Sequence, residues 1–113
     1  MAYDEYLADR IRQGLGDLRV NFTEKHMMGG ISFMVDDKMC LGIVKEDLMV
    51  RIDPEFQDEA LRLPGCREMD FTNRPMKGFV FVSPEGIDMD EDLDFWIDKA
   101  LEYNPRAKSS NKK

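Results

Sequence analysis

Three short apolar runs, separated by brief polar breaks, occupy the middle of the chain. The runs span residues 31–35, 39–44 and 48–52, and the breaks read Asp-Asp-Lys at 36–38 and Lys-Glu-Asp at 45–47. Runs of this length with such short connections are typical of neighbouring antiparallel strands joined by tight turns. The pattern therefore predicts an antiparallel meander, which the rest of the chain covers or extends.

Alternation within the runs assigns each side chain to one of two faces of the predicted sheet. The face predicted to pack into the core carries Ile31, Phe33, Val35, Leu48, Val50 and Ile52. The opposite face is predicted to carry Ser32, Met34, Met49 and Arg51. Because Asp53 follows closely, two roles are open for Arg51: a structural ion pair or cap, and an anion-binding site.

An amphipathic helix is predicted at each end of the chain. The first spans residues 3–15 and is expected to end at Gly14 and Gly16, where the chain can leave helical geometry. Its apolar stripe comprises Tyr3, Tyr6, Leu7, Ile11 and Leu15. The last helix spans residues 90–103 and is stopped by the Asn-Pro pair at 104–105. Its apolar stripe comprises Leu93, Trp96, Ile97, Ala100 and Leu101.

A short middle helix is predicted from the N-cap Asp53, which a proline follows, to the Leu-Pro-Gly sequence at 63–65. Residues 66–73 are predicted to be irregular, with some short-strand alternation. Arg-Pro-Met-Lys-Gly at 74–78 is predicted to be a turn with two cations, leading into a strand at 79–82.

These elements predict an α+β fold with a single domain over residues 1–104. Its antiparallel sheet is expected to have about four to six strands, flanked by an N-terminal, a middle and a C-terminal helix. Residues 105–113 are predicted to be a disordered basic tail. A chain of 113 residues with 42% hydrophobic content is large enough to bury a core without metals or disulfides.

The net charge of −7 argues against a nucleic-acid-binding surface as the main activity, because phosphate neutralisation needs clustered Lys and Arg. Direct nucleic-acid binding would require the basic tail and the 74–78 turn to outweigh the acidic remainder. No run is apolar enough to span a membrane, and the first residues are polar and acidic. We therefore expect a cytoplasmic protein that does not associate with membranes.

Few residues are suited to chemistry. His26 is the single histidine, and Cys40 and Cys66 belong to no CxxC or His-paired spacing, so no metal site, cofactor or catalytic set is predicted. An enzyme would have to use His26 with a thiol or a carboxylate. The nine methionines fit either core filling or an adaptable partner-binding surface. The pair Gly29-Gly30 fits either a tight turn or a point where a partner approaches the backbone.

Several short motifs follow one another in a specific order. They are KHMMGGISF at 25–33, KM at 38–39, DLMVR at 47–51, MDFT at 69–72, RPMKGFV at 74–80 and L-x-x-W-I at 93–97. Together they resemble the TfoX/Sxy N-terminal domain family, and its stand-alone small members in particular, over roughly residues 3–103. The resemblance implies an antiparallel sheet flanked by helices, similar to secretion chaperones, and no known catalytic residues. Because the family includes competence regulators, it also implies a partner connected with transcription.

We therefore expect a non-enzymatic regulatory or protein-interaction domain. Its predicted binding surface comprises Met28, Gly29, Gly30, Arg51, Arg74, Met76 and Lys77. There the glycines would allow backbone approach, the methionines would give adaptable contacts, and the cations would select an acidic group on a protein partner. The alternative is a small-molecule or anion-binding module, with Arg51, Arg74 and Lys77 around a pocket under the middle helix. An open face or edge of the sheet would also accommodate a second copy in a homodimer.

Overall fold

The computed structural model describes residues 3–27, 29–71 and 74–107, without the side chains of Met27, 69–71 and 74–77. Six antiparallel strands form one sheet: β1 (Thr23–Met27), β2 (Gly30–Val35), β3 (Lys38–Val44), β4 (Asp47–Arg51), β5 (Cys66–Phe71) and β6 (Arg74–Val82). The helices are α1 (Glu5–Asp17), α2 (Gln57–Ala60) and α3 (Asp90–Tyr103), with 3-10 turns at Pro54–Phe56, Pro84–Gly86 and Asn104–Arg106. The strand order is β1-β2-β3-β4-β6-β5. The predicted α+β fold, with an antiparallel sheet and three helices, is confirmed.

The predicted meander corresponds to β2, β3 and β4. Ile31 of β2 pairs with Ile43 of β3 in an antiparallel register. Asp36 and Asp37 join these strands with φ values of 56° and 63°, as in the two-residue hairpin turns whose twist matches that of the strands. Lys45 also has a positive φ, 59°, at the next turn. Both polar breaks are therefore tight turns.

The main core lies between one face of the sheet and the helices α1 and α3. The strands contribute Ile31, Phe33, Leu41, Ile43, Leu48, Val50, Val80 and Val82, all buried. The helices contribute Leu7, Ile11, Leu15, Leu93, Trp96 and Ile97, also buried. Each such aliphatic or aromatic side chain stabilises the fold by about 1.5–3 kcal/mol relative to exposure. Within the described ranges, no helix has the length and hydrophobicity needed to cross a membrane.

The N-terminal helix begins and ends two residues later than predicted, so Tyr3 lies before it. Tyr6 is 73% exposed, so its assignment to the apolar stripe is wrong. Gly14 lies inside the helix and does not end it. A Cβ at this position would lie 2.8 Å from Ile97 Cδ1 of α3. The missing side chain of Gly14 thus allows the two helices to approach closely.

α1 ends three residues beyond Gly14, through two backbone hydrogen bonds. The N–H of Arg19 donates to the carbonyl of Gly16 at 2.9 Å, and the N–H of Val20 donates to that of Leu15 at 3.0 Å. These bonds form a Schellman motif, with Arg19 at φ 60° in the position where glycine is usual. The glycine-based prediction of the helix end is wrong because an arginine adopts the left-handed conformation here.

Residues 74–78 belong to β6, so the predicted turn is wrong, and the segment predicted to be irregular forms the strand Cys66–Phe71. Pro75 pairs with Asp70 of β5, whereas β4 pairs with β6 only over Phe79–Val82. The first half of β6 therefore extends past β4. The missing N–H of Pro75 removes no hydrogen bond to β4, which explains why proline is tolerated in this strand.

Asp53 is an N-cap as predicted, but it caps the 3-10 turn Pro54–Phe56, and the four-residue α2 follows without a side-chain cap. Asp53 Oδ1 accepts a hydrogen bond from the Glu55 N–H at 2.9 Å, and Arg106 Nη1 donates to Asp53 Oδ2 at 3.0 Å. Asp53 therefore connects the 3-10 turn before α2 to the 3-10 turn that follows α3. Arg106 belongs to the predicted tail, of which residues 108–113 lie outside the described residues.

Candidate functional site

The face of the sheet opposite the helices has a second, smaller apolar cluster. Met49 and Phe81, which are paired on β4 and β6, are 1% and 9% exposed. Met39, Val44 and Phe79 pack against them and are half-buried. All five residues belong to strands, so α1, α2 and α3 contribute nothing to this cluster. We call these five residues the open-face cluster.

The pleat of the strands explains why Met49 lies on this face. Leu48 and Val50 point into the main core, so Met49 between them points away from it. Met49 pairs with Gly42 of β3, and a Cβ at Gly42 would lie 2.5 Å from Met49 Cε. Gly42 therefore leaves room for the flexible methionine side chain to cover the neighbouring strand.

Two arginines lie over aromatic rings of the open-face cluster. Arg51 Cζ is 5.3 Å from the centroid of the Phe79 ring, and Arg67 Cζ is 5.3 Å from that of the Phe81 ring. Both distances are within the range of attractive cation–π contacts. Arg67 Nη2 also donates to Asp47 Oδ2 at 2.6 Å, and the Arg67 side chain remains 52% exposed. The open face is thus an apolar surface bordered by two guanidinium groups.

The two glycines of the predicted surface each have a structural role. Gly29 adopts φ 81° in the β1–β2 turn, where its carbonyl accepts a hydrogen bond from the N–H of Lys45 at 3.3 Å. At Gly30, a Cβ would collide with the carbonyl oxygen of Ile43 and lie 3.2 Å from Val44 Cα. The sheet itself therefore requires glycine at position 30, whatever else approaches this turn.

Arg51 and the glycine pair lie at opposite ends of the sheet. Gly30 pairs with Val44, next to the start of β4 at Asp47, whereas Arg51 ends β4. Four residues along a strand correspond to about 13 Å, so the structure does not bring these positions together. Met28 lies outside the described residues, as do the side chains of Arg74, Met76 and Lys77.

The family model of the TfoX N-terminal domain matches residues 14–103, which is most of the chain. The chain belongs to the TfoX N-terminal domain family. The family resemblance seen in the order of the sequence motifs is thereby confirmed. No curated protein and no solved structure matches the chain.

In this TfoX N-terminal domain, the histidine and the two thiols do not converge. His26 is exposed on the edge strand β1, with its ring centroid 6.0 Å from that of Tyr3. Burial raises the pKa of the Cys40 thiol to about 12, although the charge of Arg51 opposes this shift. Burial also raises the pKa of the Cys66 thiol to about 11. Both thiols therefore stay protonated near neutral pH, the opposite of what a cysteine nucleophile requires.

A groove of about 170 Å³ lies beside α2, where the anion-binding alternative expects its pocket. Its cations are Lys99 and Arg106, and both are paired with carboxylates. Lys99 Nζ lies 3.4 Å from Glu102, and Arg106 Nη1 lies 3.0 Å from Asp53. Arg51 is not part of the groove lining. The groove therefore gives no specific support to an anion site built on Arg51.

The alternation of the sequence predicts part of the open face but misses other parts. Met49 and Arg51 are correctly placed opposite the core face. Arg67 is missing from the predicted surface because residues 66–73 are predicted to be irregular. In the structure it belongs to β5 and pairs with Phe81 of β6. Phe79 and Phe81 share one side of the predicted strand at 79–82, which is the signal that could have selected them.

Proposed function

We propose that this TfoX N-terminal domain is a non-catalytic protein-interaction domain that binds a regulatory partner on the open face of its sheet. The observation that supports this most strongly is the open-face cluster with its two bordering arginines. The proposal includes the cytoplasmic location expected from the composition. A partner connected with transcription rests on the resemblance to competence regulators alone.

The composition of the open-face cluster is typical of the centre of a protein interface. Aromatic residues, methionine and arginine are enriched there, and aromatic and arginine side chains often contribute most of the binding energy. Met39, Val44 and Phe79 are only half-buried, so a partner would remove further apolar surface from water. Each Å² of apolar surface covered contributes about 25 cal/mol, before the costs of association.

The charge of the open face favours a partner with carboxylates. The protein has a net charge of −7, yet Arg51 and Arg67 both border the open-face cluster. A guanidinium has five N–H donors, so Arg67 retains donors for a partner beside its bond to Asp47. A segment with apolar side chains flanked by Asp or Glu would match this surface.

A different protein fits this face better than a second copy of the chain. In a face-to-face homodimer, the arginines that border the two open-face clusters would approach one another. Like charges at an interface are unfavourable and suppress such pairings. A second copy of the chain is therefore less favoured than a different protein as the partner on this face. The oligomeric state of the chain is measured together with partner binding.

The test is affinity capture from native lysate with the tagged wild-type chain, Arg67→Glu and Arg62→Glu. Both substitutions change the net charge equally. Arg62 is exposed after α2, between Leu61 and Leu63, which pack against the main core and not the open-face cluster, and no ion pair between described residues includes it. Arg67→Glu should weaken capture by about tenfold, because an attractive contact becomes a repulsive one. Arg62→Glu should bind like the wild type.

The captured protein is then purified and titrated against the same three variants at low and high salt. Salt should weaken the wild-type complex, since exposed ion pairs are screened. Equal affinity of Arg67→Glu and Arg62→Glu would contradict the assignment of the open face. Concentration-dependent dimerisation that only Arg67→Glu abolishes would identify a second copy as the occupant.

A further inference from the structure

A second concave surface lies on the helix side of the sheet, away from the open-face cluster. It is a groove of about 310 Å³ between the segment after α2, the turn before α3 and α3 itself. Its lining includes the apolar residues Leu63, Pro64, Phe95 and Trp96 and the acidic residues Glu85 and Asp92. Its volume exceeds that of the groove of about 170 Å³ lined by Lys99 and Arg106.

Aromatic side chains form one wall of this groove. The rings of Phe95 and Trp96 meet edge to face, with centroids 5.2 Å apart and planes at 81°. Trp96 is buried in the main core, whereas Phe95 is 37% exposed. Single exposed apolar residues are common on monomeric proteins, but Phe95 belongs to the lining of a concave apolar surface.

Among the described residues, the groove lining carries two carboxylates, Glu85 and Asp92, and no Lys or Arg, although Lys99 Nζ lies 5.8 Å from the centroid of the Phe95 ring. Residues 85–98 contain Glu85, Asp88, Asp90, Glu91, Asp92, Asp94 and Asp98, and no Lys or Arg. Within the described part of the chain, the only one of them in an ion pair is Asp90, which lies 3.3 Å from Arg10 Nη2. The groove is therefore a concave apolar surface with two carboxylates in its lining, within an acidic stretch of the chain.

We propose that this groove binds a basic segment of another protein, with one large apolar side chain seated against Phe95 and flanking lysines or arginines paired with Glu85 and Asp92. The apolar lining selects the anchoring side chain, and the carboxylates select its neighbours by charge complementarity. This goes beyond the proposed function, since the open face suits an acidic partner. The domain would then join two partners of opposite charge.

The spread of the carboxylates favours a segment of polypeptide over a metal ion or a small amine. No group of three or more His, Cys, Asp or Glu within the described ranges could hold a metal ion. The carboxylates that line the groove come from two elements, Glu85 from the turn before α3 and Asp92 from α3 itself, whereas Asp90 and Asp94 line a separate concavity against α1. A small amine would pair with one of these two carboxylates, whereas a basic segment would pair with both and place an apolar side chain against Phe95.

The probe is a short fluorescein-labelled peptide with a central phenylalanine between alternating lysines and arginines, titrated by fluorescence anisotropy into the full chain. A second peptide has glycine in place of the phenylalanine. The protein variants are Glu85→Lys in the groove and Glu46→Lys in the exposed β3–β4 turn. The two variants change the net charge equally. Their comparison therefore distinguishes peptide binding in the groove from non-specific attraction of a basic peptide to an acidic protein.

We expect saturable binding of the phenylalanine peptide that Glu85→Lys weakens by about tenfold and Glu46→Lys leaves within about twofold. The glycine peptide should bind at least about tenfold more weakly, because the apolar contact is lost. Equal loss in both variants, or equal binding of both peptides, would overturn the proposal. Dimerisation of the free chain that only Glu85→Lys abolishes would show that a second copy occupies the groove, and would also overturn it.

A second pair of variants keeps the charge constant. Phe95→Ser removes the aromatic wall, and Tyr6→Ser removes an aromatic ring that is 73% exposed elsewhere on the surface. Only Phe95→Ser should weaken the phenylalanine peptide, and neither should alter the open-face complex. Circular dichroism checks that Phe95→Ser is folded. If the folded variant bound the phenylalanine peptide with wild-type affinity, the proposed contact of the apolar side chain with Phe95 would be wrong.

Discussion

Replacing Gly30 by alanine should destabilise the domain more than the same change at Gly29. At Gly30 the new Cβ collides with the carbonyl oxygen of Ile43, so β2 and β3 must separate locally. Overpacking of this kind costs about 1–3 kcal/mol, and a weakened backbone hydrogen bond costs about 0.5–1.5 kcal/mol. The free energy of unfolding should therefore fall by about 2–4 kcal/mol.

The matched variant Gly29→Ala isolates the backbone conformation. Nothing lies within 4 Å of a Cβ at Gly29, so only the left-handed φ of 81° is unfavourable, at about 1–2 kcal/mol. Alanine restricts the unfolded chain by similar amounts at both positions, so that contribution cancels in the comparison. The two variants therefore differ mainly through the collision at Gly30.

Urea unfolding followed by circular dichroism measures both variants. With a urea dependence of about 1–3 kcal/mol per molar, the midpoint should fall by about 1–2 M for Gly30→Ala and by roughly half as much for Gly29→Ala. Partner binding by the folded fraction should persist in both variants, since neither glycine belongs to the open-face cluster. A Gly30→Ala midpoint equal to or above that of Gly29→Ala would refute the reasoning.

Three further predictions concern single groups. The pKa of the Asp53 carboxyl is lowered, first by the hydrogen bond from the backbone N–H of Glu55 and then by Arg106. The ionised carboxylate therefore stabilises the folded state fully above the ordinary pKa of 3.8, and this contribution is lost as the pH falls through the lower pKa of the folded state. In an NMR titration, Arg106→Ala should raise this pKa only partly, and an unchanged value would contradict the contact. Cys40 should resist a thiol reagent at neutral pH until the protein unfolds, since its pKa is raised to about 12, and rapid labelling of the folded protein would be inconsistent with its burial. Met49→Ala should lower the free energy of unfolding by about 2 kcal/mol, whereas the exposed Met89→Ala should leave it within about 0.5 kcal/mol in the same urea assay.

Local patterns in the sequence were sufficient to predict most of the fold. The alternation from Ile31 to Ile52 specified the meander, since each one-residue step moves a side chain to the other face. The stripe from Leu93 to Ala100 specified α3, whose observed limits, Asp90–Tyr103, match the predicted range. Both signals depend only on neighbouring residues, so no knowledge of distant contacts was needed.

The errors arose where distant contacts outweigh local signals. Gly14 is predicted to end α1, but it lies within the helix, where the lack of a side chain accommodates Ile97 of α3. Pro75 is predicted to lie in a turn, but it belongs to β6. Because β6 extends past β4 at this point, the missing N–H of proline removes no hydrogen bond between these strands. Arg67 joins the open face only because β5 pairs with the far side of β6. None of these pairings has a local signature in the sequence.

The central claim, that a partner binds the open face, is tested most directly by amide chemical-shift mapping with the captured partner. The account predicts that the largest shifts lie at Met39, Val44, Met49, Arg67, Phe79 and Phe81, and that Arg67→Glu removes them. Shifts centred on α1, or on the groove of Phe95 and Glu85 with the open face unchanged, would contradict it.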